Sequence, residues 1–589
     1  MANGDEEFSP VIVSDQTFRR STAFWPLVLT MALLPALLWS GWLVQHPVRR
    51  MWEALEYPFQ LDAEEGHILG QALRLRNGEG LYPAIEEPPY VVDNYPPLYP
   101  ALWALFVDPD APSLTAGRWI SFLASLATAL AAVLICAGVA IRSTHSRMGG
   151  DSGESGGGLK SVLRTSAVSL IPPLAAGLLS AFFFLNAREV IRWSAYSRVD
   201  LLALALSAVG LAAFVWSGEG RRRWWGWGPS IALFALSLLT KQTCVAAPAA
   251  CLTWLLLVNW RRALIFGGWL AAAALVPVGI LCTWTGGRYW LHTVTYNENV
   301  MIWNEYLRIW LPYMTRLHGY LLAAGGVAGL WLVGFSLLGR RGVPKAERDG
   351  GNTNSRLFWL PVLYALLNAG MTLSLAKAGS AENYLLEPVF ALAVLAGCGL
   401  AAMAREIACP SAGRSGRTIP LVTVVAFVLC LVPVTFHVLR HVTARLPKSG
   451  ETQRIYLPRI FYGNAPRPTV EAYQAGRRVV RLLQERPGES LSEDPIYLLR
   501  AGKEIVFQNF IMTQLAAERK WDDSALVERA LRGEFSVVVS HVDLSDPEQF
   551  FNRYTRALRE ALAERYEVLE ILRRSPPLQT IFVYVPSSD

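Results

Sequence analysis

The chain has 589 residues, a net charge of +7, 52% hydrophobic residues and only 17% charged residues. A soluble globular chain carries about 25% charged residues, so an ordinary soluble protein is excluded. The basic balance does not point to nucleic acid, because the lysines and arginines cluster in short connections between apolar runs, where they set membrane topology.

Residues 1–21 form a polar N-terminal tail. The run that follows, "AFWPLVLTMALLPALLWSGWLV", is too long for the apolar core of a cleaved signal and is expected to remain as an anchor. About 20 apolar residues span a hydrocarbon core of roughly 30 Å. Backbone groups in lipid must pair internally, so such runs are helices. Spans are expected near 22–44, 115–141, 167–186, 199–217, 229–240, 243–259, 263–284, 313–338, 358–376, 384–404 and 418–438. The fold class is therefore a polytopic α-helical membrane protein with about eleven transmembrane helices and a small C-terminal α/β domain. Its expected divisions are the tail 1–21, a membrane domain 22–438 that includes an outer loop 45–98, and an extracytoplasmic domain 439–589.

Alternate connections are basic, among them Arg19 and Arg20, Arg142 to Arg164, Arg221 to Arg223, Arg340 to Arg356, and Arg405 to Arg417. Excess positive charge marks cytoplasmic loops. The N-terminus is then cytoplasmic, and 45–98, 285–312 and everything after 440 lie outside. The seven cysteines avoid 45–98 and the region after 440, and no CxxC pattern occurs, so neither a disulfide framework nor a CxxC metal site is expected there.

The first outer loop contains "YPFQLDAEEGHILGQALRLRNGEGLYP". Ile68, Leu69, Ala72, Leu73 and Leu75 suggest an amphipathic helix lying on the membrane, ended by Gly78 and Gly80. Asp62 and Glu65 stand three apart near its start. They read either as solvated first-turn acids or as a general base with a second acid or metal ligand. His67 does not complete a metal site. In "NYPPLYP", Pro96, Pro97 and Pro100 stiffen the approach to an apolar stretch, while Tyr95, Tyr99 and Trp103 suit an interfacial belt.

Charges also stand at the outer ends of later spans: Arg188, Glu189 and Arg192; Arg198 and Asp200 in "SRVDLLAL"; Lys241, followed by Gln242, in "LTKQT"; Lys377, Glu382 and Glu387 in "LAKAGSAENYLLEP". Ionisable groups near membrane depth are costly and usually mark a site. Lys241 has no topological purpose on the outer face and suits an anion. Glu382 and Asn383 begin a span and suit sugar hydroxyls, with Glu387 about one turn deeper. Residues 465–589 alternate helix-like segments with the strand-like "EIVFQ", "FSVVVSHV", "YEVLEIL" and "TIFVYVP", which predicts a partly parallel sheet. His541, after one strand, reads either as a catalytic residue or, with more weight, as an ordinary surface histidine.

Outer cations beside outer carboxylates suit one chemistry: the cations hold a phosphate while a carboxylate deprotonates an attacking hydroxyl. A transporter or flippase of lipid-linked sugar, and a non-catalytic envelope assembly protein, are the alternatives.

The ordered set of an acidic motif after the first span, "NYPPLYP", "SRVDLLAL", "LTKQT", "AENYLLEP" and an outer C-terminal domain resembles the GT-C glycosyltransferases. Within them it is similar to bacterial relatives of protein mannosyltransferases and aminoarabinose transferase. The resemblance implies an inverting transfer from a polyprenyl-phosphate sugar to a glycan, lipid or protein acceptor, in a bacterial inner membrane. It also implies that Asp62 is the base and Glu65 a nearby second acid. Many relatives carry adjacent Asp-Glu where this chain has "DAEEG", so Glu64 stays open as well. Arg198 and Lys241 match positions of donor-phosphate contacts. Asp200, Gln242, Glu382, Asn383 and Glu387 join them as candidate substrate contacts. A divalent metal stays open, and no other cofactor is implied.

Overall fold

The computed structural model describes residues 15–148, 167–217, 224–338, 357–408, 418–443, 468–546, 553–574 and 579–588. Several basic connections of the topology argument, and Cys409, lie outside these residues.

Every one of the eleven apolar stretches is helical: Asp15–Leu43, Thr115–Met148, Ala167–Leu185, Val199–Trp216, Gly228–Leu238, Ala246–Val258, Trp260–Trp284, Leu311–Leu338, Trp359–Met371, Leu386–Ala408 and Thr418–Thr443. Among the described residues, six helices are long and apolar enough to cross a membrane, and four shorter apolar helices accompany them. The protein is a multi-pass membrane protein. Gly228–Leu238 and Ala246–Val258 have 11 and 13 residues. They rise only about 17 and 20 Å, short of a roughly 30 Å core. Lys241 sits in the break between them.

Leu386–Ala408 is the most enclosed of the long helices. Small residues make this possible. A Cβ on Gly397 would lie 2.7 Å from Ser180 Cβ, and one on Gly399 would lie 2.3 Å from Ala328 Cβ. Close backbone approach through small residues is how membrane helices gain packing contact. Trp260–Trp284 is the opposite case, with only Ala263 and Phe266 buried. Its remaining apolar surface suits lipid.

The C-terminal unit carries a four-stranded sheet in the order β1-β2-β4-β3, made of β1 (Ser490–Ser492), β2 (Val537–Ser540), β3 (Tyr566–Leu572) and β4 (Ile581–Pro586). β1 and β2 run parallel, and the other two pairings are antiparallel. The mixed α/β character matches expectation. One segment does not: "EIVFQ" stays out of this sheet, and its Phe507 bridges Tyr90 of the first outer loop.

That loop also departs from expectation. Helix Glu65–Asn77 does not lie on a membrane surface. Every residue from Glu65 to Leu73 is buried, because Leu98–Ala104 and Pro495–Arg500 cover it. Farther along, Ile85, Tyr90 and Val92 join the core of the C-terminal unit with Leu491, Phe507 and Val538. The loop is thus the seam between the membrane helices and the α/β unit.

Candidate active site

Asp62 stands on a short loop just before helix Glu65–Asn77. Arg118, 1% exposed, holds the loop from below. Its guanidinium meets Glu65 at 3.0 Å through both Nε and Nη2, and donates to the carbonyls of Tyr57 at 2.7 Å and Phe59 at 2.8 Å. Glu65 in turn accepts from the backbone of Leu61, Asp62 and Ser197. A buried ion pair with its remaining lone pairs satisfied holds backbone in place. Glu65 is therefore enclosed in a loop anchor and does not share an accessible face with Asp62. Glu64, by contrast, is half-buried, and its carboxylate accepts from Gln508 at 3.4 Å.

Asp62 turns away from that anchor. Its Oδ1 accepts from Arg198 Nη1 at 2.7 Å and from the Glu64 amide at 3.2 Å. Among the described residues Oδ2 accepts no hydrogen bond. Burial pushes the Asp62 carboxyl above its ordinary value; Arg198 opposes the rise, and Glu65 and Glu64 add to it.

Arg198 caps helix Val199–Trp216 and Asp200 occupies its first turn, where a carboxylate suits the helix dipole. The Arg198 guanidinium also donates to the Tyr95 hydroxyl at 3.1 Å, rests 5.2 Å from the Trp193 ring, and lies 3.7 Å from Asp200 Oδ2. Asp200 Oδ1 accepts from Lys241 Nζ at 2.5 Å and from Asn383 Nδ2 at 2.8 Å. Lys241 further lies 4.8 Å from the Tyr384 ring centroid. Asp62, Arg198, Asp200, Lys241 and Asn383 thus form one continuous alternating chain of charged and polar groups.

Beyond Asp200 opens a partly open pocket lined by Asp200, Lys241, Thr243, Asn368, Asn383 and Glu387 among others. Glu387 accepts from the Tyr364 hydroxyl at 3.1 Å. Among the described residues, three lining side chains carry buried acceptor atoms without a hydrogen-bond donor: Asp200 Oδ2, Asn368 Oδ1 and Asn383 Oδ1. The two amides cannot simply be turned round, because their nitrogens face the Tyr364 carbonyl and the Asp200 carboxylate. A ligand that fills such a space needs hydrogen-bond donors.

The other sequence candidates fall at the edges. Glu382 pairs with Arg192 at 2.8 Å, and Arg192 also reaches the Tyr196 hydroxyl at 3.0 Å. Gln242 donates to the carbonyls of Thr293 at 3.0 Å and Asn94 at 3.4 Å, tying the connection 285–312 to the first loop. Arg192 retains 24% side-chain exposure against 8% for both Arg198 and Lys241, which makes it the more accessible cation. Among the described residues no three His, Cys, Asp or Glu side chains gather into a metal-binding group. Asp62 and Asp200 are parted by the Arg198 guanidinium, an arrangement that does not fit them to one shared cation.

Sequence reasoning passed over Arg118, Tyr95 and Asn368. Arg118 had a usable signal: like Lys241, it is a positive residue at the expected outer end of a span, where topology does not require one. Tyr95 looked like any interfacial tyrosine, and Asn368 is a single amide in an apolar run.

Neither a protein-family model nor a curated protein matches the chain. Among solved structures, it is similar to ArnT from Cupriavidus metallidurans bound to undecaprenyl phosphate, with 13% identity, a TM-score of 0.47, and coverage of 93% of this chain and 99% of that one. It is also similar to the archaeal oligosaccharyltransferase AglB from Archaeoglobus fulgidus in complex with an inhibitory peptide and a dolichol-phosphate, with 11% identity, a TM-score of 0.48, and coverage of 96% and 76%.

Proposed function

We propose that the protein is a membrane glycosyltransferase that moves a sugar from a polyprenyl-phosphate donor to a hydroxyl group of a glycan, lipid or protein, with inversion, on the outer face of a bacterial inner membrane. The observation that carries this reading is the chain from Asp62 through Arg198 and Asp200 to Lys241, with a carboxylate at one end and an acceptor-lined cavity at the other.

In this reading the acceptor hydroxyl approaches Asp62 Oδ2. Its oxygen bonds to the anomeric carbon as the bond from that carbon to the phosphate oxygen breaks. Its proton passes to Oδ2, and the lipid leaves as a phosphate. A phosphate leaving group needs little protonation, so one carboxylate suffices, unlike the acid–base pair of a hydrolase. Arg198 orients Asp62 through Oδ1. Arg192, the more exposed cation, takes the phosphate, with Arg198 behind it. Lys241 neutralises Asp200. The sugar, rich in hydroxyl donors, turns its hydroxyls toward the pocket of Asp200, Asn368, Asn383 and Glu387. The phosphate stays at Arg192, outside that pocket. Glu65 serves the loop anchor and Gln242 the outer connection. No step runs through a metal.

Purified protein incubated with a panel of labelled polyprenyl-phosphate sugars and hydroxyl acceptors tests the proposal. Transfer of label to an acceptor with inverted anomeric configuration is expected. Movement of intact lipid-linked sugar across vesicles without transfer would overturn it in favour of a flippase.

The membrane orientation is part of the proposal: residue 1 inside and residue 589 outside. A C-terminal reporter that is active only in the cytoplasm would reverse it.

A further inference from the structure

The loop that carries Asp62 is gripped from two sides. Arg118 and Glu65 hold it from the membrane helices, as described above. The second grip comes from the C-terminal unit. Gln60, 4% exposed, donates its amide nitrogen to the Ala63 carbonyl at 3.2 Å and to Asp494 Oδ1 at 2.8 Å. Its amide oxygen accepts from the Ile496 backbone at 3.4 Å. The bond to Ala63 closes the loop around Asp62, and the bonds to Asp494 and Ile496 fasten that closed loop to the α/β unit.

Asp494 is itself oriented. It follows β1, and its Oδ2 lies 2.9 Å from Nε2 of His541, which follows the adjacent parallel strand β2. Glu493 accepts from the His541 amide at 3.0 Å and from the Ser540 hydroxyl at 2.7 Å. His541 is therefore no ordinary surface histidine. The approach between the units is close: a Cβ on Gly66 would lie 2.5 Å from Gln60 Oε1 and 2.8 Å from the Ile496 nitrogen. A second strut joins Gln508 to Glu64 and to the Val92 amide.

We propose that Gln60 and Asp494 are positioning residues: through them the C-terminal unit sets the place of Asp62. The inference rests on the reading of Asp62 as the base. Neither residue touches the reacting atoms. Their effect comes through geometry, where a displacement of about 1 Å can cost on the order of 10²-fold in rate.

The test uses the full chain and the most active donor of the labelled panel, with undecaprenyl phosphate as the binding probe. Gln60→Leu, similar in size but without hydrogen bonds, is expected to lower kcat by roughly 10- to 100-fold. The Kd for undecaprenyl phosphate should stay within about twofold, since no phosphate contact is touched. Asp494→Ala should behave alike. Asp494→Asn keeps an acceptor for Gln60 and should stay within about threefold of the parent. In an Asp62→Asn background Gln60→Leu should produce no further loss, because a residue that acts only through Asp62 has nothing left to position. Full multiplication of the two losses, an unchanged kcat in Gln60→Leu, or parallel loss of kcat and undecaprenyl-phosphate binding would each overturn the inference. Normal turnover of Asp62→Asn alone would instead remove the catalytic reading of the loop.

Discussion

Asp62 Oδ1 and Arg198 Nη1 lie 2.7 Å apart, and among the described residues Oδ2 of the same carboxylate accepts no hydrogen bond. Asp62→Asn keeps the shape and loses the basicity. It should lower kcat by roughly 10²–10⁴, the usual share of general-base catalysis. Glu64→Gln should be mild, since Glu64 makes one long bond to Gln508. As the proposed base Asp62 must be ionised, and burial raises its pKa above 3.8. The acid limb of kcat/KM should therefore lie above that value, with activity lost as pH falls through it. A pH–rate profile whose acid limb is unmoved between wild type and the residual activity of Asp62→Asn would remove Asp62 as the base.

Lys241 and Asp200 are each nearly enclosed and meet at 2.5 Å. Loss of one partner of a buried pair strands the other charge, at a cost of about 3 kcal/mol. Lys241→Met should therefore act first on stability, seen as a lower midpoint in thermal unfolding in detergent. Lys241→Met combined with Asp200→Asn should recover most of that loss. Equal midpoints for Lys241→Met and wild type would show that Lys241 does not serve Asp200.

Arg192 pairs with Glu382 at the partly exposed end of the site. One charge-assisted hydrogen bond to a phosphate is worth about 1.5 kcal/mol, or roughly tenfold in affinity. Arg192→Ala should weaken undecaprenyl phosphate binding by about that factor while the unfolding midpoint holds. Calorimetry or a fluorescence titration reads this directly, and an unchanged Kd would move the phosphate contact to another cation.

The Asp494–His541 pair makes stability depend on pH. For Asp494, burial raises the pKa, but His541 and the nearby arginines outweigh it and the net shift is downward from 3.8. For His541, burial lowers the pKa, but Asp494 and Glu493 outweigh it and the net shift is upward from 6.5. The depressed Asp contributes stability that is present above 3.8 and lost as pH falls through its folded value. The raised His contributes stability that is present below 6.5 and lost as pH rises through its folded value. The pair should be worth most between those two limits. His541→Ala should flatten the fall of the thermal midpoint as pH rises above 6.5. A mutant that retains the wild-type slope would assign that slope to other groups.

The helices were legible from the sequence because lipid permits little else for long uncharged runs. Arg198, Asp200 and Lys241 were legible for a related reason: a charge at a helix end near the membrane stands out against its apolar surroundings. The setting of Glu65 was not legible. Spacing tells which residues share a helical face, but not what covers it, and here the cover is Arg118, 53 positions away. The same holds for "EIVFQ". Its apolar character marked it as extended, but the backbone that meets it, in a single bridge, lies in the first loop at Tyr90. The three-residue β1 offered too short a pattern to recognise.

Gln60 and Asp494 are separated by 434 positions in the chain. At about 5–20 residues per second a ribosome takes roughly 20 to 90 s to travel between them. Through that interval the membrane helices emerge and insert, while helix Glu65–Asn77 waits without its cover from Pro495–Arg500. A nascent chain halted before Asp494 has its bundle but lacks the outer hold on Asp62. Completion of synthesis and closure of the loop are thereby linked in time.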